Sequence, residues 1–112
     1  DFRDYQEKLD QRLALLEEHF RSQKKIVVHG ACNALNNISA WTNGRFRLAD
    51  NDENKIGQYY SGMLVENPES INFDTIDLVI VLPTGYFDEI CNGYKRLGYK
   101  GRIMSTEINQ PA

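Results

Sequence analysis

The sequence predicts an α/β fold with a largely parallel sheet and helices on both faces. Three observations lead there. Two short apolar runs, IVV at 26–28 and DLVIVL at 77–82, read as buried strands. Each ends in a turn signal, His29-Gly30 after the first and Pro83-Thr84-Gly85 after the second. The segments around them carry apolar residues at helical three-to-four spacing. Alternating strands and helices build parallel sheets, because a parallel pair needs a crossover connection.

Composition bounds the function classes. A chain of 112 residues is one domain with a modest core, too short for a two-domain enzyme with a cleft between domains. The net charge is −3 and no Lys/Arg stripe is present, so nucleic acid is not an expected partner. No apolar stretch approaches the ~20 residues of a membrane span, and no signal peptide is recognisable. Cys32 and Cys91 fall on separate predicted helices and read as free thiols, which predicts a cytoplasmic location. The chain starts at Asp1 inside a helical pattern and stops without a tail. Both ends read as edges of a segment cut from a larger protein. The expected division is a leading helix or connector at 1–23 and an α/β domain at 24–112.

Taken in order, residues 2–21 form a helix. Phe2, Tyr5, Leu9, Leu13, Leu16 and Phe20 mark one face at the globular period of about 3.6. Asp4/Lys8 and Glu17/Arg21 are i,i+4 pairs in the favourable order. This helix packs on the sheet or, given further apolar residues such as Leu15, serves as a connector or homodimer helix. Ile26–His29 is the first strand. Residues 33–42 form a short helix with Leu35, Ile38 and Trp41 inward, ended by Asn43-Gly44. Residues 45–49 alternate as a second strand, with Phe46 and Leu48 on one face.

Residues 50–62 read as a polar loop with Gly57 and Gly62 as turn points. Residues 63–65 are a short edge strand. Asn67 starts a helical turn with Pro68 in its first position. Residues 77–82 form the central strand, buried on both faces. Residues 86–97 are a helix with Phe87, Ile90, Cys91, Tyr94 and Leu97 inward. Asp88 and Glu89 suit its first turn, where the dipole favours acids, and Gly98 caps it. Arg102–Ser105 is the last strand. Right-handed crossovers make 3-2-1-4-5 the simplest order of these five strands. The architecture is then a Rossmann-like three-layer sandwich behind a leading helix. Its switch point lies where the first and fourth strands end, and a ligand belongs there.

The two turns at that point supply the candidate residues. Gly30, Ala31, Cys32, Asn33 and Ala34 follow the first strand, where free N–H groups at a helix start can hold phosphate. Asp50 lies twenty residues past Gly30 at the end of the second strand, placed for a ribose or sugar hydroxyl or equally for a turn or cap. Thr84, Gly85 and Tyr86 form the second turn. The dinucleotide pattern G-x-G-x-x-G keeps its first glycine only, with Cys32 and Leu35 at the other two positions. The Cys32 side chain crowds the approach of a pyrophosphate, which argues against a conventional NAD site. His29 ends the first strand as an acid/base, a ligand contact or a structural histidine. Cys32 at a helix start suits a nucleophile or packing, with no base assigned to it. Tyr59-Tyr60 suit closure over a ligand or contact with another domain.

No Tyr-x-x-x-Lys pair, phosphate loop, metal-spaced His/Cys cluster or serine-hydrolase signature occurs, so no catalytic constellation is complete and no metal is expected.

Three stretches, IVVHGACNAL, LADNDENKIGQYYSGMLVENPESI and DLVIVLPTGYFDEICNGYKRLGYKGRIMS, together carry a resemblance over residues 24–105. The order of a Gly-Ala turn, a strand-end Asp, Lys55-x-Gly57, Gly62, Pro68-Glu69 and a helix ending Leu97-Gly98 resembles a module of sugar and polysaccharide biosynthesis. It is similar to the C-terminal domain of nucleotide-sugar C-methyltransferases and to the N-terminal domain of sugar acyltransferases. It is also similar to the nucleotide-binding domain preceding polysaccharide epimerase/dehydratase domains. The resemblance implies binding of a nucleotide or nucleotide-sugar by Gly30, Ala31, Cys32, Asp50, Thr84, Gly85 and Tyr86, within a parent protein of transferase type. Neighbouring domains of the parent chain are the implied partners. The alternatives are a degenerate module used for interaction or dimerisation, and an NAD-dependent oxidoreductase domain.

Overall fold

Side chains alternate across a strand, so a strand that is apolar at every position must be covered on both faces. That condition sets the architecture of this chain. The computed structural model describes residues 3–8, 10–11, 14, 25–32, 35, 46–82 and 85–105. They form β1 (Ile26–His29), β2 (Arg47–Ala49), β3 (Tyr59–Tyr60), β4 (Met63–Glu66), β5 (Leu78–Val81), α1 (Phe87–Arg96) and β6 (Arg102–Ser105). The sheet order is β3-β4-β2-β1-β5-β6. All neighbours run parallel except β3 and β4, which pair antiparallel. With β3 set aside, this is the 3-2-1-4-5 order expected from right-handed crossovers.

The two faces of the sheet carry separate cores. Ile26, Val28, Leu48, Val65, Leu78, Ile80, Leu82 and Met104 point to one side, where Ala31, Leu35 and Phe46 join them. Val27, Ala49, Val79, Val81 and Ile103 point to the other, against Phe87, Ile90 and Tyr94 of α1. Each such aliphatic side chain contributes roughly 1.5–3 kcal/mol on burial. His29 shares the face of Val27 and therefore looks toward α1. The starts of β1 and β5 are tied together. Lys25 N–H donates to Asp77 Oδ2 at 2.9 Å, and Asp77 N–H donates to the Lys25 carbonyl at 2.8 Å.

Several boundaries differ from expectation. The loop 50–62 contains β3, so β4 is flanked on both sides rather than lying at the edge. Ser61 and Gly62 have φ of 51° and 80°, the two positive values of a two-residue hairpin turn joining Tyr60 to Met63. β2 begins at Arg47, with Phe46 buried just before it. Pro68–Ser70 is a 3₁₀ turn with Pro68 at its start and the Asn67 side chain accepting from Glu69 N–H. Leu97 is 40% exposed because α1 stops at Arg96 and Leu97 is already its cap. The Tyr99 N–H closes the helix end on the Tyr94 carbonyl at 3.1 Å, past Gly98. Cys32 lies in a bend, not on a helix.

Of the leading helix, residues 3–8, 10–11 and 14 are described, and all are helical and exposed. Tyr5, on the expected inward face, is 55% exposed. Asp4 and Lys8 do not pair, and Gln6 donates instead to Asp10 at 3.0 Å. Phe2, Leu9, Leu13, Leu16 and Phe20 of the expected apolar face, with Leu15, Glu17 and Arg21, lie outside the described residues. So do Ile38, Trp41 and most of the second expected helix, of which Leu35 is helical and buried.

Candidate functional site

The turn after β1 is built on Gly30, whose φ of 126° favours glycine. Its N–H donates to the Ala49 carbonyl at 2.8 Å, continuing the β1–β2 pairing. The next residue is held from both sides by the loop after β2. Ala31 N–H donates to Asp50 Oδ2 at 2.9 Å, and the Ala31 carbonyl accepts from Lys55 Nζ at 2.8 Å. The other Asp50 oxygen accepts from Asp52 N–H at 2.9 Å. Asp50 is thus a turn residue that staples two loops, with each oxygen retaining a lone pair for a further donor. The Ala31 N–H, expected among the phosphate donors, is occupied by this carboxylate. Cys32 is half-buried and packs against the core around Val28.

Beside the turn, the carboxyl ends of β1 and β2 and the start of α1 enclose an open cavity of about 260 Å³. His29, Asp50, Asn51, Tyr86, Glu89 and Ile90 line it. The structure therefore brings Asp50 and Tyr86 together, as the switch-point argument requires. Gly30, Ala31, Cys32 and Gly85 are not in its lining, although Ala31 joins it through Asp50. Gly85 and Tyr86 form an exposed turn before α1. Asn33, Ala34 and Thr84 lie outside the described residues. A larger groove of about 690 Å³ runs between α1 and β6, lined by Cys91, Lys95 and Arg102 among others, and includes neither His29 nor Asp50.

His29 is the buried polar group of the cavity, with 2% of its surface exposed. Its Nδ1 lies 2.6 Å from the Tyr94 hydroxyl, with the two rings edge to face. The bond forms in either tautomer: the phenol donates to Nδ1 when the imidazole proton sits on Nε2, and Nδ1 donates to the phenol oxygen when it carries the proton itself. Among the described residues the Tyr94 hydroxyl has no other hydrogen-bond partner, and Nε2 has none. Burial pushes the His29 pKa down from 6.5 to about 4, with Asp50 pulling weakly the other way. Burial, reinforced by Asp50, pushes the Tyr94 phenol well above its usual range. Both groups are neutral at ordinary pH.

Chemically, the cavity combines the neutral His29 imidazole, the Asn51 amide, the Tyr86 phenol and two carboxylates. That set suits hydroxyl groups, which donate and accept at once. Among the described residues no three His, Cys, Asp or Glu side chains are grouped to hold a metal. No helix of the described residues is long and apolar enough to cross a membrane.

Sequence reasoning missed Asn51, Glu89 and Ile90 as cavity residues and Tyr94 as the partner of His29. Glu89 carried only a helix-dipole signal, and Tyr94 read as an apolar-face residue. Lys55 was visible in the Lys55-x-Gly57 motif, but not as a clamp on Ala31.

No protein-family model and no curated protein matches this chain. Among solved structures it is similar to RSP, a Rex-family repressor, with a TM-score of 0.50 and 20% identity over 72% of this chain and 44% of that one. It is also similar to RSP in complex with beta-NADH, with a TM-score of 0.47 and 18% identity over 79% of this chain and 49% of that one. The chain spans less than half the length of these structures, and the sugar- and polysaccharide-enzyme families of the sequence resemblance find no support among them. A likeness at this identity speaks to architecture. Together with the strand order and the parallel pairing, it shows that the chain has a Rossmann-like α/β fold.

Proposed function

We propose that this chain is a nucleotide- or nucleotide-sugar-binding module of a larger protein. One observation carries the reading. A cavity opens at the topological switch point, between the ends of β1 and β2 and the start of α1, and contains a buried histidine nitrogen with no partner among the described residues. In this reading Asp50 receives a hydroxyl through its remaining lone pairs, and phosphates lie toward residues 31–34 and 84–86. The carbohydrate-enzyme setting, with a parent protein of transferase type, rests on the sequence resemblance alone. An NMR titration of backbone amides with NADH, UDP-glucose, a TDP-sugar, S-adenosylmethionine and coenzyme A tests the proposal. Saturable shifts at residues 29–31, 50–51 and 85–90 are expected with a nucleotide-bearing probe. Silence across the panel in a folded protein overturns it.

A second reading, a module used for protein contact, draws on one pair of residues. Tyr59 and Leu64 face each other across the β3–β4 hairpin and are 74% and 46% exposed. Sedimentation of the chain and of a Tyr59→Ser variant tests it. Self-association lost in the variant supports contact through the hairpin, and a monomeric wild type removes self-association from this reading.

A further inference from the structure

We infer that His29 is a ligand-reading residue of this cavity. Its Nε2–H is a fixed, uncharged donor to a hydroxyl or carbonyl oxygen on the sugar portion of the ligand, and Tyr94 is the positioning residue that holds the proton on Nε2. The inference rests on the nucleotide reading and deepens it.

Four observations lead to it. His29 lines the cavity while almost wholly buried, so its free nitrogen has little water to bond. A buried donor without a partner is rare unless a ligand supplies one. Tyr94, contributed by α1, engages Nδ1; with the phenol as donor the imidazole proton is held on Nε2, the form favoured by Asp50 and Glu89, acceptors that line the same cavity. Tyr94 is itself held edge to face by Phe73, which braces the phenol ring. The charges of the cavity then select the class of ligand group. Asp50 and Glu89 line it, and among the described residues no Lys or Arg does. A phosphate there would meet two carboxylates and no cation. A sugar oxygen meets one donor, and the neighbouring hydroxyls meet two acceptors. Lys55 lies instead on the glycine-turn side, bonded to the Ala31 carbonyl.

Long-range ¹H–¹⁵N NMR of the histidine rings in the full chain tests this directly. There are two histidines, and a His19→Gln variant assigns them. In the free protein His29 should show a protonated Nε2 and a bare Nδ1. The opposite tautomer, or an even mixture, overturns the fixed donor. UDP-glucose and NADH are the probes. Binding should shift Nε2 with little change at Nδ1, whereas inorganic pyrophosphate should leave Nε2 unmoved. A pyrophosphate-induced Nε2 shift overturns the assignment to the sugar portion. His29→Phe should weaken the better-binding probe by roughly tenfold, the scale of one lost hydrogen bond. Unchanged affinity in a folded His29→Phe protein overturns the inference while the nucleotide reading stands. Tyr94→Phe keeps the ring packing and frees the tautomer. Both ring forms should then appear, with binding weakened about threefold. A single Nε2–H form in Tyr94→Phe removes Tyr94 from the positioning role. If the wild type binds neither probe nor any other nucleotide, the nucleotide reading fails and takes this inference with it.

Discussion

The turn after β1 and the cavity beside it begin one residue apart and are satisfied in opposite ways. At the turn, the loop after β2 takes both backbone groups of Ala31, its N–H through Asp50 and its carbonyl through Lys55. In the cavity, His29 spends one ring nitrogen on Tyr94 and leaves the other without a partner among the described residues. The recognisable glycine motif is thus closed by the chain itself, and the open valence lies at a residue no nucleotide motif contains. Free hydrogen-bonding capacity, rather than motif identity, points to where a ligand is needed. Asp50 belongs to both regions and couples them.

Acid should separate the two regions most strongly. The His29 pKa is about 4 in the folded chain and 6.5 when unfolded. Between those values the unfolded chain binds more protons, so stability is fully present above pH 6.5 and falls as pH drops toward 4. For this one group the loss is roughly 3 kcal/mol. Asp50, Glu89 and Tyr86 line the same cavity, Tyr94 is bonded to the ring, and the Asp50 charge moderates the shift. Urea unfolding at pH 7 and pH 4.5 should show the loss in the wild type and a shallower one in His29→Phe. Equal losses would place the acid sensitivity elsewhere.

Next in size is the staple. Asp50→Ala deletes the acceptor of two backbone N–H groups and should cost about 2 kcal/mol, read from the urea midpoint at pH 7. It should also weaken any nucleotide, so binding must be compared under conditions where the variant is folded. A variant as stable as the wild type would show that water replaces the carboxylate at both amides.

The smallest effect isolates the turn. Lys55→Met removes one charge-assisted bond at a half-buried site and should cost about 1 kcal/mol. The His29 ring signals should not change. If they do, the clamp on Ala31 and the cavity are a single cooperative unit.

Much of the fold was legible in the sequence, for reasons that differ by element. β1 and β6 are as expected end to end, and for β1 the reason is an unbroken apolar run closed by a glycine turn, which leaves little choice of boundary. The Pro68 turn followed from proline tolerating a first helical position. β3 was not legible, because two residues carry no period. Only the Ser61-Gly62 turn geometry draws Tyr59 and Tyr60 into pairing. The twenty-residue distance from Gly30 points to Asp50, and the same position suits a turn residue equally. The two accepted N–H groups establish that local role and leave its ligand role to the titration.

The sequence by itself determined the approximate positions of the five parallel strands, their order and the end of the sheet where a ligand belongs. Hydrophobic period and crossover handedness are local or statistical constraints that a single chain displays openly. What only the tertiary structure decided is which polar atoms are spent. His29 and Tyr94 are 65 residues apart, and nothing in the spacing of either announces the other. The same holds for Lys55 and Ala31, 24 residues apart. A hydrogen bond between distant residues needs two side chains delivered to within 3 Å, and only the packed sheet and helix deliver them. The valence left over, on which the functional reading depends, exists only after that packing is complete.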